Sequence, residues 1–314
     1  MKRLAFVFPG QGSQSVGMLD AWGDHPAVRE VLAEASAALS QDVGALIASG
    51  TKEELSLTTN TQPVMLVAGV AAYRAWLHEG GQEPVVLAGH SLGEYAALVA
   101  AGVLTLAQAA PLVRLRAQAM QEAVPVGEGA MAAILGMDAT QVVALCAQVQ
   151  SELGSGAVVE AVNFNDPMQT VIAGSKAAVE KACEVIKAAG AKRALPLPVS
   201  APFHSSLMKP AALRLQAHLA AVELQPARIP VVNNIDVAVC NEPSDIRDAL
   251  VRQAAGPVRW VECMQAIAQH NIDAVVECGP GKVLAGMAKR ILPEVPAAAL
   301  FDPASLQEVK GLCS

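Results

Sequence analysis

The stretch that most constrains this chain is residues 85–102, which read Val-Val-Leu-Ala-Gly-His-Ser-Leu-Gly-Glu-Tyr-Ala-Ala-Leu-Val-Ala-Ala-Gly. Val85–Ala88 is a short apolar run that predicts a buried strand, and Glu94–Ala101 has the Ala, Leu and Glu content of a helix. Between them, residues 89–93 match G-x-S-x-G in the strand–turn–helix setting that this motif requires. So tight a turn favours glycine at its flanks and strains the backbone of the serine. We predict that Ser91 is a nucleophile; the alternative is a solvated serine in a Gly-rich connection.

Composition narrows the class of protein. The chain has 314 residues, long for one core, so a large domain with a smaller second one is expected. No apolar run approaches the length of a membrane span, and the five apolar residues before Pro9 are too few for a signal peptide. A net charge of −7 argues against a nucleic-acid surface. The six cysteines are scattered, without C-x-x-C or ligand-like spacing to histidine. We therefore expect a cytoplasmic protein with reduced thiols, no metal, no nucleic acid and no membrane contact.

A change of pattern after residue 126 indicates an inserted module. Between residues 127 and 198 the apolar runs predict strand, helix, strand, strand, helix, strand, which is the ferredoxin-like order βαββαβ. Strands and helices typical of the larger domain resume afterwards. We predict an α/β protein whose large domain is discontinuous, 1–126 and 199–314, with a ferredoxin-like subdomain at 127–198.

A serine nucleophile needs a base, usually histidine. The chain has six histidines, and four of them lie on or at the ends of predicted helices among polar neighbours. His90 is adjacent to Ser91, where side chains at a sharp turn diverge. His204 lies in a proline-stiffened loop ahead of a helix N-terminus, so its placement makes it the favoured base.

No orienting acid is evident. Four acidic residues between Ser91 and His204 belong to the predicted module: Asp138, Glu152, Glu160 and Asp166. The usual order of a hydrolase triad would place an acid in this interval. A carbonyl or amide could orient the ring instead, which makes this a candidate serine–histidine dyad.

Two main-chain donors are predicted for an oxyanion. The N–H of Leu92, just after the nucleophile, is one. The second is expected from a loop after another strand, and Gln11 fits, because it lies in the glycine loop 10–12 after the predicted strand Leu4–Phe8. That loop lacks the ending of a phosphate-binding loop.

Arg116 lies on the apolar face of the predicted helix Leu106–Ala123. Arginine is seldom buried without an anion. From the residues alone, that anion is equally a substrate group or an internal partner, Glu94 or Glu122.

Taken together, five motifs in this order resemble the malonyl-CoA:acyl carrier protein transacylase family, over a span from Phe6 to about Ile291. They are residues 8–14 (Phe-Pro-Gly-Gln-Gly-Ser-Gln), residues 89–95 (Gly-His-Ser-Leu-Gly-Glu-Tyr), Arg116 with residues 120–122 (Met-Gln-Glu), residues 199–204 (Val-Ser-Ala-Pro-Phe-His) and residues 277–282 (Glu-Cys-Gly-Pro-Gly-Lys).

The resemblance implies an α/β-hydrolase-like large domain and a role for each candidate residue. Ser91 is the implied nucleophile, His204 its base, and Gln253 the position that helps to orient the histidine in place of an acid. The amides of Gln11 and Leu92 form the implied oxyanion hole. Arg116 is implied to bind the malonyl carboxylate, which settles the choice left open above, since a guanidinium fork suits a carboxylate.

The implied activity is malonyl transfer from malonyl-CoA to the phosphopantetheine thiol of acyl carrier protein, by a ping-pong mechanism through a malonyl-Ser91 ester, for fatty-acid synthesis. No cofactor is expected, and the protein is expected to be a monomer. The alternatives are an acyltransferase of a polyketide or malonate decarboxylase pathway, a serine thioesterase or other hydrolase, and a non-catalytic carrier-docking subunit, which would be expected to lack Ser91 or His204. Carrier proteins of the family are acidic, so basic residues near the module are docking candidates: Lys187, Lys192, Arg193 and Lys209.

Overall fold

The computed structural model describes residues 2–313, which form a mixed α/β protein with one parallel and one separate antiparallel sheet. The strands are β1 (Leu4–Phe8), β2 (Val86–Gly89), β3 (Gly129–Leu135), β4 (Val159–Asp166), β5 (Gln169–Ser175), β6 (Arg193–Pro196), β7 (Val231–Val232), β8 (Ala274–Cys278) and β9 (Ala297–Leu300). The helices are α1 (Pro26–Leu39), α2 (Val43–Ser49), α3 (Lys52–Ser56), α4 (Thr58–His78), α5 (Gly93–Ala100), α6 (Leu106–Glu122), α7 (Ala139–Leu153), α8 (Lys176–Ala188), α9 (Lys209–Leu219), α10 (Pro243–Ala254), α11 (Trp260–Ala268), α12 (Val283–Ile291) and α13 (Pro303–Leu312).

Two compact units divide the chain. The first runs up to Ala117 and includes Ala221–Ile246 and the chain from Cys263 onward; the second comprises Gln118–Ala220 and Arg247–Glu262. All four strands of the antiparallel sheet lie within the predicted module, residues 127–198. The division at those two positions remains a prediction.

The first unit is built on a five-stranded parallel sheet in the order β7-β2-β1-β8-β9. Every residue of β1, β2 and β8 is buried, as expected of parallel strands covered on both faces. Phe6 packs against Tyr73 and Trp76 of the long apolar helix α4. Because Phe8 and Gly89 are register partners, the loops that follow β1 and β2 leave the sheet at the same edge. This edge carries the glycine loop and Ser91.

The second unit contains the antiparallel sheet, in the order β4-β5-β3-β6. Side chains alternate between its faces: Ala132 and Ile134 pack in the cluster formed with α7 and α8, whereas Met131 and Ala133 pack in a cluster that includes Phe203. The observed order of elements is the predicted βαββαβ. The second cluster places the residue before His204 against the sheet.

Two features complete the parallel sheet. Its edge strand β7 is confined to Val231–Val232, because the Asn233 side chain accepts the Asp236 N–H and closes a turn there. The chain after Pro293 adds the fifth parallel strand, β9, and helix α13.

No single helix in residues 2–313 has the length and apolar character to cross a membrane. One bent pair, α1 with α2, passes that test only when both helices are taken together across a 114° bend.

Candidate active site

Ser91 lies in the turn between β2 and α5, at the carboxyl edge of the parallel sheet. Its φ is +53°, in the left-handed region, which costs a residue other than glycine about 1–2 kcal/mol. A Cβ atom on Gly89 would lie 1.8 Å from the carbonyl carbon of Gly93, and one on Gly93 would lie 2.0 Å from the Phe8 oxygen. Glycine is therefore required at both flanks, and the tight turn predicted from the sequence is present.

The N–H groups of Gln11 and Leu92 lie in the two loops at this edge. The loops are held together because the His90 N–H donates to the Phe8 oxygen at 2.9 Å. Gly10 also approaches closely, since a Cβ atom there would lie 2.7 Å from the His90 oxygen. Within residues 2–313, neither the Gln11 nor the Leu92 N–H donates to an acceptor. Both main-chain donors are thus available at the edge that holds Ser91.

Arg116 projects from α6 and is 2% exposed. One guanidinium nitrogen donates to Gln62 Oε1 at 2.7 Å, and another donates to Ser91 Oγ at 3.1 Å. The guanidinium carbon lies 5.6 Å from the centre of the Tyr95 ring. Burial lowers the pKa of Arg116, while Tyr95 and Glu94 raise it. The structure therefore places a buried cation within hydrogen-bond reach of the serine hydroxyl.

The two carboxylates considered as internal partners for Arg116 have other contacts. Glu122 forms an ion pair with Arg214 at the surface. Glu94 is buried, and its Oε2 accepts the main-chain N–H of Asn234 at 2.9 Å. Glu94 acts on Arg116 by raising its pKa. The guanidinium beside Ser91 Oγ suits an anionic group there, because its planar fork matches a carboxylate.

Two residues beside Ser91 were not singled out from the sequence. Gln62 accepts a hydrogen bond from Arg116, and in the sequence it stands out as a polar side chain within the long apolar helix α4. Asn234 Oδ1 accepts the Ser91 N–H at 2.7 Å, and its Nδ2 donates to the Gly89 oxygen at 2.8 Å. In the sequence it is a polar residue two positions after an apolar strand, a pattern too common to indicate a site.

His204 and Gln253 belong to the second unit. The His204 ring is 4% exposed and its backbone has a φ of +66°. Nδ1 lies 3.0 Å from the Gln253 main-chain oxygen and 3.2 Å from that of Gly256. Because a carbonyl oxygen only accepts, these contacts assign the proton to Nδ1 and leave Nε2 as the basic nitrogen. The main-chain carbonyl of Gln253 is thus one of the two oxygens in contact with Nδ1.

The four acidic residues weighed as orienting partners have local contacts. Asp138 caps α7, Asp166 accepts a main-chain N–H in the β4–β5 turn, and Glu152 binds a glutamine on its own helix. Glu160 accepts the N–H of the residue two positions after His204, at 2.7 Å. The two oxygens described at Nδ1 of His204 are main-chain carbonyls.

Of the other histidines, His25 and His78 pack edge to face with ring centres 5.2 Å apart. His25 Nε2 also lies 3.4 Å from a Glu79 carboxylate oxygen, so this cluster packs α1 against the end of α4. In the described part of the chain, no group of three or more His, Cys, Asp or Glu side chains is arranged to hold a metal ion.

Comparison with known proteins identifies the family. The model of the acyl transferase domain family matches residues 5–303. The malonyl CoA-acyl carrier protein transacylase of Escherichia coli K12 is 52% identical over 307 residues, which cover 98% of each chain. The chain therefore belongs to the malonyl-CoA:acyl carrier protein transacylase family of acyltransferase enzymes.

Solved structures agree with this assignment. The acyl-carrier-protein S-malonyltransferase from Burkholderia pseudomallei 1710b is 63% identical, with a TM-score of 0.96 and coverage of 99% of this chain and 100% of that one. A malonyl-transacylase solved in complex with a type II polyketide acyl-carrier protein is 50% identical, with a TM-score of 0.94 and coverage of 97% and 98%.

Proposed function

We propose that this enzyme transfers the malonyl group of malonyl-CoA to the phosphopantetheine thiol of acyl carrier protein, for fatty-acid synthesis. The observation that carries the proposal is the 3.1 Å contact between the buried Arg116 guanidinium and Ser91 Oγ. A cation at this distance from an acyl-accepting oxygen suits an acyl group with a free carboxylate. Malonyl has one, and acetyl does not.

In the first half-reaction, Ser91 Oγ attacks the thioester carbonyl of malonyl-CoA and His204 Nε2 takes its proton. The developing oxyanion accepts the N–H groups of Gln11 and Leu92. The tetrahedral intermediate then breaks its C–S bond. Coenzyme A leaves as the thiol after taking the proton from His204, and malonyl-Ser91 remains.

In the second half-reaction, the same groups act in the reverse direction. His204 removes the proton from the carrier thiol, whose sulfur attacks the ester carbonyl of malonyl-Ser91. The same N–H groups bind the oxyanion. The C–O bond to Ser91 breaks, Oγ recovers a proton from His204, and malonyl-carrier leaves. The Gln253 carbonyl keeps the ring in the tautomer that both steps need.

We also propose a more specific fold assignment than one parallel and one antiparallel sheet. We assign residues 1–126 and 199–314 to an α/β-hydrolase-like domain, supported by the strand–turn–helix that carries Ser91. Residues 127–198 are assigned to a ferredoxin-like subdomain, supported by their βαββαβ order. The enzyme is proposed to act in the cytoplasm as a monomer without a cofactor.

One alternative has a specific observation in its favour. The 50% identical malonyl-transacylase is in complex with a polyketide carrier, so a polyketide carrier is a second candidate acceptor. Hydrolysis is less well supported, because the His204 Nδ1 contacts described here are carbonyl oxygens rather than a triad acid.

The experiment follows malonyl-CoA consumption with no carrier, with the apo carrier, and with the phosphopantetheinyl carrier of fatty-acid or polyketide type. Transferase activity predicts multiple turnovers only with the phosphopantetheinyl forms, and the kcat/KM ratio between the two carriers decides the pathway. Sustained consumption without a carrier would instead identify a hydrolase.

A further inference from the structure

The side chain of Asn234 makes two hydrogen bonds to the main chain of the turn that holds the nucleophile, and we call this pair of hydrogen bonds the bracket. We propose that Asn234 is a positioning residue that keeps Ser91 in its reactive geometry, an inference that rests on the proposed role of Ser91. Asn234 Oδ1 accepts the Ser91 N–H at 2.7 Å, while its Nδ2 donates to the Gly89 oxygen at 2.8 Å. One amide therefore binds the main chain on both sides of His90.

The turn requires such a support. Ser91 has a φ of +53°, a conformation that persists only where its surroundings enforce it. A side-chain amide has both an acceptor oxygen and a donor nitrogen, which match the N–H of Ser91 and the carbonyl of Gly89. A carboxylate would match only the first, and an apolar side chain would match neither.

Asn234 is itself held in place. It is fully buried, and its main-chain N–H donates to Glu94 Oε2 at 2.9 Å. It follows β7, whose Val232 is the register partner of Ala88 in β2, so the sheet brings Asn234 beside the turn. The main-chain oxygen of the preceding residue, Asn233, accepts a hydrogen bond from the Cys263 thiol at 3.4 Å. The bracket is thus anchored to the sheet and not to a mobile loop.

The bracket acts on the reacting atoms through Ser91. The Oγ atom must meet the thioester while the next N–H, that of Leu92, points at the oxyanion. Without Asn234 the Ser91 N–H and the Gly89 oxygen lose their partners, and the strained turn is free to relax. A displacement of about 1 Å at a reacting atom costs on the order of 100-fold in rate.

Asn233 provides a matched control. It is 4% exposed, and its side chain makes a comparable set of hydrogen bonds, but within its own loop. Its Nδ2 donates to the Ala238 oxygen at 3.0 Å and its Oδ1 accepts the Asp236 N–H at 2.7 Å. Truncation at either position removes buried hydrogen bonds, whereas only truncation of Asn234 reaches Ser91.

The test measures single-turnover malonylation of Ser91 by malonyl-CoA in the full chain. Asn234→Ala is expected to lower the maximum rate by about 10–100-fold and to leave the malonyl-CoA concentration for half-maximal rate unchanged. Asn233→Ala is expected to lower thermal stability comparably and to keep a rate close to that of the unsubstituted enzyme. Equal rates for Asn234→Ala and the unsubstituted enzyme, or equal slowing by both substitutions, would overturn the proposal.

Asn234→Asp covers the case in which Asn234→Ala does not fold. The carboxylate has the same shape and still accepts the Ser91 N–H, but it cannot donate to the Gly89 oxygen, so its maximum rate should also fall. An undiminished rate would contradict the bracket. Failure of the proposed function gives a different result, since the unsubstituted enzyme itself would then carry no malonyl group on Ser91.

Discussion

Arg116 combines full burial with a direct contact to the nucleophile. Removing a guanidinium from water is unfavourable unless an anion replaces the lost hydration. Two of its hydrogen bonds are to Gln62 and Ser91, and Glu94 acts on it electrostatically. A malonyl carboxylate offers the guanidinium an ionised acceptor, whereas an acetyl methyl offers it none. Selectivity at this site should therefore reside in one side chain.

We expect Arg116→Ala to lower kcat/KM for malonyl-CoA by about 100-fold or more, the scale of losing one partner of a desolvated charge pair. The ratio of acetyl-CoA to malonyl-CoA kcat/KM should rise, because the penalty against acetyl is removed. Parallel assays with both thioesters measure this ratio.

Arg114 is the control for this substitution. It lies on the same helix, and its guanidinium contacts Gln41. Arg114→Ala should leave the substrate ratio unchanged. Equal proportional losses of both substrates in Arg116→Ala would show that Arg116 supports the fold and that the carboxylate is bound elsewhere.

At the scale of elements, strand β8 carries a buried acid that contacts helix α12. Glu277 is the second-last residue of β8 and is fully buried, and its Oε2 accepts the Ala285 N–H at 2.8 Å near the start of α12. Burial raises the pKa of Glu277 to about 7, although main-chain N–H groups of the helix oppose the shift. A raised pKa means that the folded state favours the protonated acid.

The stability contributed by this group is present below the unfolded-state pKa of 4.5 and is lost as the pH rises through about 7. Between pH values of about 5 and 8, ionisation of Glu277 should lower the unfolding free energy by up to about 3 kcal/mol. We expect Glu277→Gln to lack this decrease. Denaturant unfolding at both pH values measures this. Glu308→Gln, at an exposed position on α13, is the control, and an unaltered pH dependence in Glu277→Gln would contradict the assignment.

Local pattern predicted the Ser91 turn well, because glycine spacing, strand and helix all lie within one stretch of sequence. It also predicted the order of elements in the antiparallel sheet. Local pattern says less about the edges of the parallel sheet. The turn closed by Asn233 ends β7 after Val232, and the alanine-rich β9 has little strand propensity of its own. Gln62 and Asn234 escaped notice because their roles depend on neighbours far away in sequence.

At the scale of the molecule, strand order assembles the serine side of the site. Gln11 follows β1, Ser91 follows β2 and Asn234 follows β7, and these three strands are neighbours in the sheet. The sequence pattern does not specify this order, since parallel strands are paired through long crossovers. The need for a second oxyanion donor predicted Gln11 near Ser91, and the family resemblance, which rests on five separate motifs, implies the same grouping.

Carrier docking is a prediction about the surface of the second unit. Lys187, Lys192, Arg193 and Lys209 are exposed there, and local positive charge attracts an acidic carrier even though the chain as a whole is acidic. Replacing these cations with glutamate should raise the KM for carrier, most strongly at low salt, and leave the KM for malonyl-CoA unchanged.

Steady-state kinetics at two ionic strengths test this docking surface. Lys52→Glu, which reverses an exposed charge in the first unit, serves as the control. A carrier KM that does not respond to the four substitutions, or that responds equally to Lys52→Glu, would remove these residues from the docking surface.

The central claim is that Ser91 carries the acyl group between donor and acceptor. Mass analysis after mixing the enzyme with malonyl-CoA alone should find one malonyl group on the peptide that contains Ser91, and addition of phosphopantetheinyl carrier should remove it as malonyl-carrier. Ser91→Ala should stay folded and acquire no malonyl group. A malonyl group on another residue, or transfer to carrier without any acylated enzyme, would contradict the account.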